Sequence, residues 1–339
     1  MAYEPHFEIT PRLLSLVEAV AAVRERSQGA AVELSWIPAL QKDTRTRNVH
    51  ASTAIEGNPL TLEEVRALEE GRDAVLPDAR AQREVLNYFA GLRFVEQHAV
   101  GTTTIRHDEL FALHRILAAG VMDQGEAGRY RTIQVQVGGY LPPAPSDVSG
   151  LMFELLDWWN QAAGDLSPVL SSAVLHYRFE AIHPFADGNG RAGRALALWE
   201  LYRRDFDTHH IFSVDEFYWE DSPRYYAALQ AVRERGDDLT CWLEYCAEGL
   251  RRTLENVWLR MQALNVDTSP KLSLRPRQKR LLQLLRDQGS TWRRPRSGRR
   301  LACQGKVPWT CSTRCSRRGW SRRSAARRRG ATLCGGRTP

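Results

Sequence analysis

Two helical patterns meet across a turn too short to give them freedom, and that junction constrains this 339-residue chain more than anything else in it. From Ser167 to Ile182 the residues Leu170, Val174, Tyr177 and Ala181 recur at helical spacing, and Pro168 suits a first helical position. Pro184 disfavours helix at the residue before it, so His183 is expected at the C-terminal edge of that helix. A second helix is expected over Arg191–Arg204, carrying Ala195, Leu196, Leu198, Trp199, Leu201 and Tyr202. Phe185 to Gly190 is then a tight loop feeding a helix N-terminus.

The junction reads His183-Pro184-Phe185-Ala186-Asp187-Gly188-Asn189-Gly190-Arg191-Ala192-Gly193-Arg194. A helix start offers unpaired N–H groups and a positive dipole, which favour phosphate. Gly188 and Gly190 let the backbone approach closely and take positive φ. Asp187 is a candidate Mg²⁺ ligand, because Mg²⁺ on phosphates takes one or two carboxylates. Arg191 and Arg194, three apart, share a helix face and can clamp phosphate oxygens. His183 is the natural general base near neutral pH. A plain helix–loop–helix turn, with a capping Asp and solvated arginines, explains each residue singly but not their conjunction.

His183–Arg194 resembles the signature of the Fic (filamentation induced by cyclic AMP) family, His-Pro-Phe-x-Asp/Glu-Gly-Asn-Gly-Arg-x-x-Arg, with no departure. The resemblance covers about residues 30–265. It implies an all-α fold, a Fic-type helical bundle with a small β-hairpin flap over the active site. It also implies a protein adenylyltransferase that moves AMP from ATP to a Ser, Thr or Tyr hydroxyl of a target protein and releases pyrophosphate. By that likeness His183 is the catalytic base, and Asp187 holds Mg²⁺ across the α- and β-phosphates. Phe185, Gly188, Asn189, Gly190, Arg191 and Arg194 bind the nucleotide and its phosphates. Related Doc-type kinases carry Lys where this chain has Gly190 and bind ATP reversed, so Gly190 favours adenylyl over phosphoryl transfer.

A second segment, Ser52-Thr53-Ala54-Ile55-Glu56-Gly57, resembles the family's inhibitory motif, Ser/Thr-x-x-x-Glu-Gly/Asn. Ser52, Glu56 and Gly57 are therefore expected to form an inhibitory element on a helix at about 44–57. Glu56 would pair bidentately with Arg194 in the place of the γ-phosphate. Local chemistry reads the same stretch as a helix end, with Gly57 as C-cap, Pro59 as stop and Thr61 to Glu64 as the capping box of the next helix.

Between about 129 and 145 the helical rhythm breaks. Ile133, Val135 and Val137 alternate with polar neighbours, Gly138-Gly139 follows, and Pro142, Pro143 and Pro145 close the stretch. That pattern predicts a short hairpin. In the family such a flap registers the target segment by strand addition, so Ile133, Val135 and Val137 are the expected docking residues.

Other helices are expected over Pro11–Glu25, Arg80–Gln97, His107–Leu117, Val148–Asn160, Ser222–Arg233 and Leu239–Leu264. The division that follows is an N-terminal helical region over 1–110 and a catalytic core over 111–265. His114 and His176 lie in helical patterns and read as structural. Tyr225-Tyr226 is expected near the adenine. The tryptophans read as core, and His209-His210, without ligand-spaced partners, predicts no zinc site.

Charge divides the chain. Residues 275–339 hold 20 of the 47 Lys and Arg and one acid, Asp287, leaving 27 basic and 39 acidic residues in the body. The pI near 9.2 therefore describes the tail. Residues 271–289 resemble the opening of a winged helix-turn-helix. Beyond Ser290 the basic, aperiodic composition resembles a shifted reading frame, and disorder is expected over 290–339. Cys303, Cys311, Cys315 and Cys334 lack the Cys-x₂-Cys spacing of a zinc site.

No 18-residue apolar run exists, the start is unlike a signal peptide, and the body has only Cys241 and Cys246, so a cytoplasmic location is expected. The expected partners are a hydroxyl-bearing target protein, this chain itself as a substrate of self-modification, and a second copy in a homo-oligomer. This tail argues against DNA. Two rivals share these features: removal of AMP by the same site, with Glu56 positioning water, and a transcriptional regulator built on the same core.

Overall fold

The computed structural model describes residues 3–29, 37–72, 78–100, 104–207 and 209–263. The 271–289 and 290–339 segments anticipated from sequence lie outside them. The described helices are α1 (Pro11–Gly29), α2 (Ile37–Ile55), α3 (Leu62–Glu69), α4 (Ala79–Ala99), α5 (His107–Leu117), α6 (Pro145–Gln161), α7 (Pro168–Ile182), α8 (Asn189–Arg203), α9 (Asp215–Glu220), α10 (Ser222–Glu234) and α11 (Thr240–Ala263). The all-α expectation holds.

The antiparallel pair α7–α8 is the centre. From Val169 to Ile182 only Arg178 escapes full burial, and α8 is buried on nearly every face. A helix apolar all round must be surrounded, and α7 is covered by α6 and α11 while α8 is covered by α4 and α5. Helix α2 reaches α8 near its start and also packs on α4 and α9. Trp159, Trp199 and Trp242 are fully buried, as the core reading of the tryptophans requires.

Local signals set the helix ends. The Ser167 hydroxyl accepts from the Val169 N–H, and Thr61 with Glu64 forms the expected capping box. Gly57, at φ +89°, closes α2: its N–H donates to the Ala54 carbonyl at 3.0 Å and the Asn58 N–H to the Thr53 carbonyl at 3.1 Å. This is the Schellman pattern, and it needs a residue that tolerates positive φ.

One buried carboxylate locks three helices together. Glu200 of α8 accepts from Trp159 Nε1 of α6 at 2.6 Å and from the Ser171 hydroxyl of α7 at 2.6 Å, and it pairs with Arg203 at 3.1 Å. Among the described residues no helix is long and apolar enough to cross a membrane, and Cys241 and Cys246 are free.

Removing Glu200 would strand these donors and leave its cation partners without their carboxylate. Glu200→Ala is expected to destabilise the chain by about 3–5 kcal/mol in urea denaturation. A loss under about 1 kcal/mol would mean that the three helices do not depend on it.

Candidate active site

The site is built where α7 stops and α8 starts. His183 caps α7 in the left-handed region at φ 51°, ψ 61°, with its N–H donating to Phe179 at 2.9 Å. A non-glycine residue there is uncommon and costs backbone strain, which the surrounding loop must hold in place. The Asn189 side chain staples that loop, donating to the Phe185 carbonyl and accepting from the Phe185 N–H, each at 2.9 Å. Gly188, at φ +76°, precedes the first turn of α8.

Helix α8 begins at Asn189, two residues earlier than expected, so Asn189 and Gly190 belong to its first turn rather than to the loop. Phe185 and Asn189, expected at the nucleotide, spend their side chains inside the fold. Phe185 is buried against His114, with ring centroids 3.6 Å apart and planes at 6°.

His114 does more than fill the core. Its Nδ1 accepts from the Gly128 N–H at 2.8 Å, which fixes the proton on Nε2, and Nε2 donates to the Asp187 carbonyl at 2.9 Å. The imidazole thus holds the Asp187 turn from beneath. Sequence reasoning reached only its burial, because the contact spans 73 residues.

Arg194 is the buried charge of the site, with 1 % of its side chain exposed. Its Nε donates to the Ser52 hydroxyl at 2.8 Å, and its terminal nitrogen donates to the Ser52 carbonyl at 2.9 Å and to Glu56 Oε1 at 2.7 Å. Asp215 lies 3.9 Å from Nε. Burial works against the charge, but Glu56, Tyr225 and Asp215 outweigh it and hold the guanidinium well above its usual range. The expected Glu56–Arg194 pair is present, although by one hydrogen bond rather than two. Ser52 takes Nε and shares the same terminal nitrogen, which occupies the side-on face that a bidentate pair could use.

The Glu56 carboxylate lies against the first turn of α8, so close that a Cβ on Gly190 would overlap it. It therefore stands at the end of α8 where an anion is favoured. Two clefts open on either side of it. One, about 720 Å³, is lined by His183, Glu180, Arg194, Tyr225, Tyr226 and Arg233. The other, about 500 Å³, is lined by Asp187, Arg191, Glu84, Asp123 and Val135. Arg194 lines the first cleft and Arg191 the second, and Glu56 lines both.

Arg191 is buried with its Nε and one terminal nitrogen unpartnered by protein, and its nearest carboxylates, Asp187 and Glu84, stand 3.9 and 4.0 Å away. A buried guanidinium with open donors fits an anionic ligand. Asp187 accepts from the Gly188 N–H at 2.6 Å, and its side chain is about one-third exposed, so it can still reach a cation. No group of three or more metal-binding side chains occurs among the described residues. A lone carboxylate suits Mg²⁺ completed by phosphate oxygens and water.

His183 is pushed down to about 4 by burial, against support from the Glu180 main-chain carbonyl and Glu56. It is neutral at physiological pH and able to accept a proton. Glu180, fully buried, is raised by burial to about 7, and its Oε2 lies 3.8 Å from His183 Nδ1. A Cβ on Gly193 would overlap the Glu180 carboxylate, so that glycine is what makes room for it.

The flap is only partly the hairpin that was expected. Val137 and Tyr140 exchange two 2.9 Å main-chain hydrogen bonds around Gly138-Gly139, and no ladder continues from them. Pro142 and Pro143 supply no N–H on the return leg. Side chains hold the segment instead. Arg131 donates to the His183 carbonyl at 2.8 Å and the Pro143 carbonyl at 2.6 Å, Tyr140 donates to Ala181 at 2.7 Å, and the Arg233 guanidinium stacks 3.6 Å from the Tyr140 ring. Ile133 and Val137 are exposed and Val135 is partly buried. Of the tyrosine pair expected near a base, Tyr225 is buried and meets His176 at 3.1 Å, while Tyr226 is exposed at the cleft.

A model described as the Fic/DOC family matches residues 104–201. A "Protein adenylyltransferase Fic" of Drosophila willistoni is 31 % identical over 219 residues, which is 63 % of this chain and 42 % of that protein. The chain thus spans less than half the length of that relative. A solved Fic family protein from Desulfovibrio desulfuricans G20 is 32 % identical, with 77 % of this chain and 78 % of that one covered at a TM-score of 0.66. Fic-1 from C. elegans is 26 % identical, with 74 % of each chain covered at a TM-score of 0.63.

Burial keeps His114, His176 and His183 neutral, at about 4, 3 and 4. In the unfolded chain they take up protons near 6.5. The unfolded state then binds more protons between these values, so each histidine contributes stability above pH 6.5 that is lost as pH falls toward its folded value. Replacing the fully buried His176 by Phe should flatten the dependence of unfolding free energy on pH between 5 and 6 by about 1 kcal/mol per unit. An unchanged slope in urea titrations at those two pH values would contradict a neutral buried His176.

Proposed function

The chain belongs to the Fic/DOC family, and on that premise we propose that it transfers AMP from ATP to a hydroxyl of a target protein. The target Ser, Thr or Tyr oxygen attacks the α-phosphorus in line. A new O–P bond forms, the bond to pyrophosphate breaks with its electron pair, and the hydroxyl proton passes to His183. Neutrality of His183 near pH 7 supports its role as base. Phosphates would lie on the α8 N-terminus, with Gly188 and Gly190 permitting close approach and Arg191 and Arg194 taking outer oxygens. Asp187 would hold Mg²⁺, whose charge offsets that of the phosphates when bound. The exposed Ile133 and Val137, with Val135, would register the target segment along the flap.

We also read Glu56 as the inhibitory group. The observation that carries this is the position of its carboxylate, against Gly190 and on Arg194, lining both clefts. A γ-phosphate seeking Arg194 would meet a like charge there. Transfer in line depends on fine placement, so a displaced triphosphate reacts slowly. Ser52 belongs to the same device, since it binds the Arg194 edge that Glu56 leaves free.

Label from α-³²P-ATP with Mg²⁺, on the chain itself or on lysate protein, tests both statements. Glu56→Gly is expected to raise labelling about tenfold or more. Adding His183→Ala should lower it by roughly 10²–10⁴ while ATP binding persists. Equal labelling of wild type and Glu56→Gly would remove Glu56 from the account. Labelling in no variant despite ATP binding would point to another donor or to AMP removal.

A further inference from the structure

One buried acid of the large cleft has no part in the chemistry above. Glu180 lies one helical turn before His183 on α7, and its Oε2 is 3.8 Å from His183 Nδ1. Both groups are almost enclosed, with 9 % and 16 % of their side chains exposed. Glu180 Oε1 and His183 Nδ1 are each buried without a hydrogen-bond partner. A carboxyl group with open capacity is costly to enclose. Nothing in packing calls for it, because the chain must place glycine at 193 to fit it. Oε1 is the oxygen that lies against Gly193, and the other oxygen, Oε2, is the one that faces the unpartnered His183 Nδ1 across 3.8 Å, a gap that closes when charge develops on the ring.

Resting on the transfer proposed above, we infer that Glu180 is a positioning residue for the base: ionised, it holds His183 by Nδ1, keeps Nε2 for the target hydroxyl, and stabilises the imidazolium formed when His183 takes the proton. The effect of Glu180 passes through the ring. Bonds made and broken at phosphorus are unchanged, and the proton received by Nε2 leaves later from the same imidazole.

Charge on Glu180 depends on its neighbours. Arg194 of α8 and Arg233 of α10 favour the ionised form, while burial and Glu56 oppose it, leaving it near 7. Tyr225 and Tyr226 of α10 also face it. His183 completes the set from its own helix. Departure of Glu56 removes one opposing charge, so the acid loses its proton more readily in the open site.

A pH profile of AMP transfer in the Glu56→Gly background separates positioning from packing. Glu180→Gln keeps the shape and removes the charge. The rate ratio of parent to Glu180→Gln should be near one at pH 5.5 and climb through the neutral range to roughly tenfold at pH 8.5, in kcat rather than in KM for ATP. Glu180→Asp should restore part of the loss at high pH. A ratio that is constant with pH, or a loss confined to KM, would overturn the inference. A second readout needs no activity: in the full chain, the ¹⁵N shifts of the His183 ring should report a titration near pH 7 that vanishes in Glu180→Gln. The same titration persisting in that variant, or none in the parent chain, would equally overturn it. Failure of the Glu56→Gly parent to transfer AMP would sink the functional reading instead, and the ring titration would still decide whether Glu180 acts on His183.

Discussion

A guanidinium shut inside a helical bundle organises everything around it. Arg194 must be paired, since an uncompensated buried charge costs several kcal/mol, and the fold pairs it from three directions. Ser52 comes from α2, Glu56 from the turn that ends α2, and Asp215 from the start of α9. Helices far apart in sequence therefore meet at one side chain, and α7 with α8 supplies the rigid floor beneath. The same need explains the order of the neighbourhood. Tyr88 donates to Asp215 at 3.2 Å, so even the counterion has its own support.

Much of this was legible in the chain. Helices show their period in the sequence, and proline and glycine mark where they stop, so His183 at the end of α7 and Gly57 at the end of α2 could be placed without coordinates. The link between Glu56 and Arg194 was also accessible, but only through likeness to a known pattern. Nothing in the local spacing of two residues 138 apart could have implied it. What escaped were long-range contacts with ordinary signals. His114, Arg131 and Glu180 look like routine helix or loop residues. Their meaning lies in which carbonyl or ring they meet.

The flap shows a different limit. Alternation of Ile133, Val135 and Val137 is a true extended pattern, and it led to a hairpin. Pairing requires donors on both legs, however, and Pro142 and Pro143 leave one leg without them. The chain resolves this with side chains, chiefly Arg131 and Tyr140, which fasten the segment to the carbonyls of Ala181 and His183. An edge held this way keeps its main chain open over much of its length, which suits a surface that pairs with another strand.

Glu56 is bound to Arg194 by a single hydrogen bond, whereas Ser52 grips the same guanidinium by two. Departure of the carboxylate would leave the two Ser52 contacts on Arg194 in place. Under the proposed inhibition the chain would be a two-state population, closed and open, whose ratio is set by one contact beside a glycine-capped helix end. For a ligand that needs the open form, the apparent dissociation constant is the intrinsic one divided by the open fraction. Each 1.4 kcal/mol in the carboxylate's favour would then raise the ligand concentration needed for half-occupancy tenfold, so occupancy in a cell would follow ambient nucleotide level rather than saturate early.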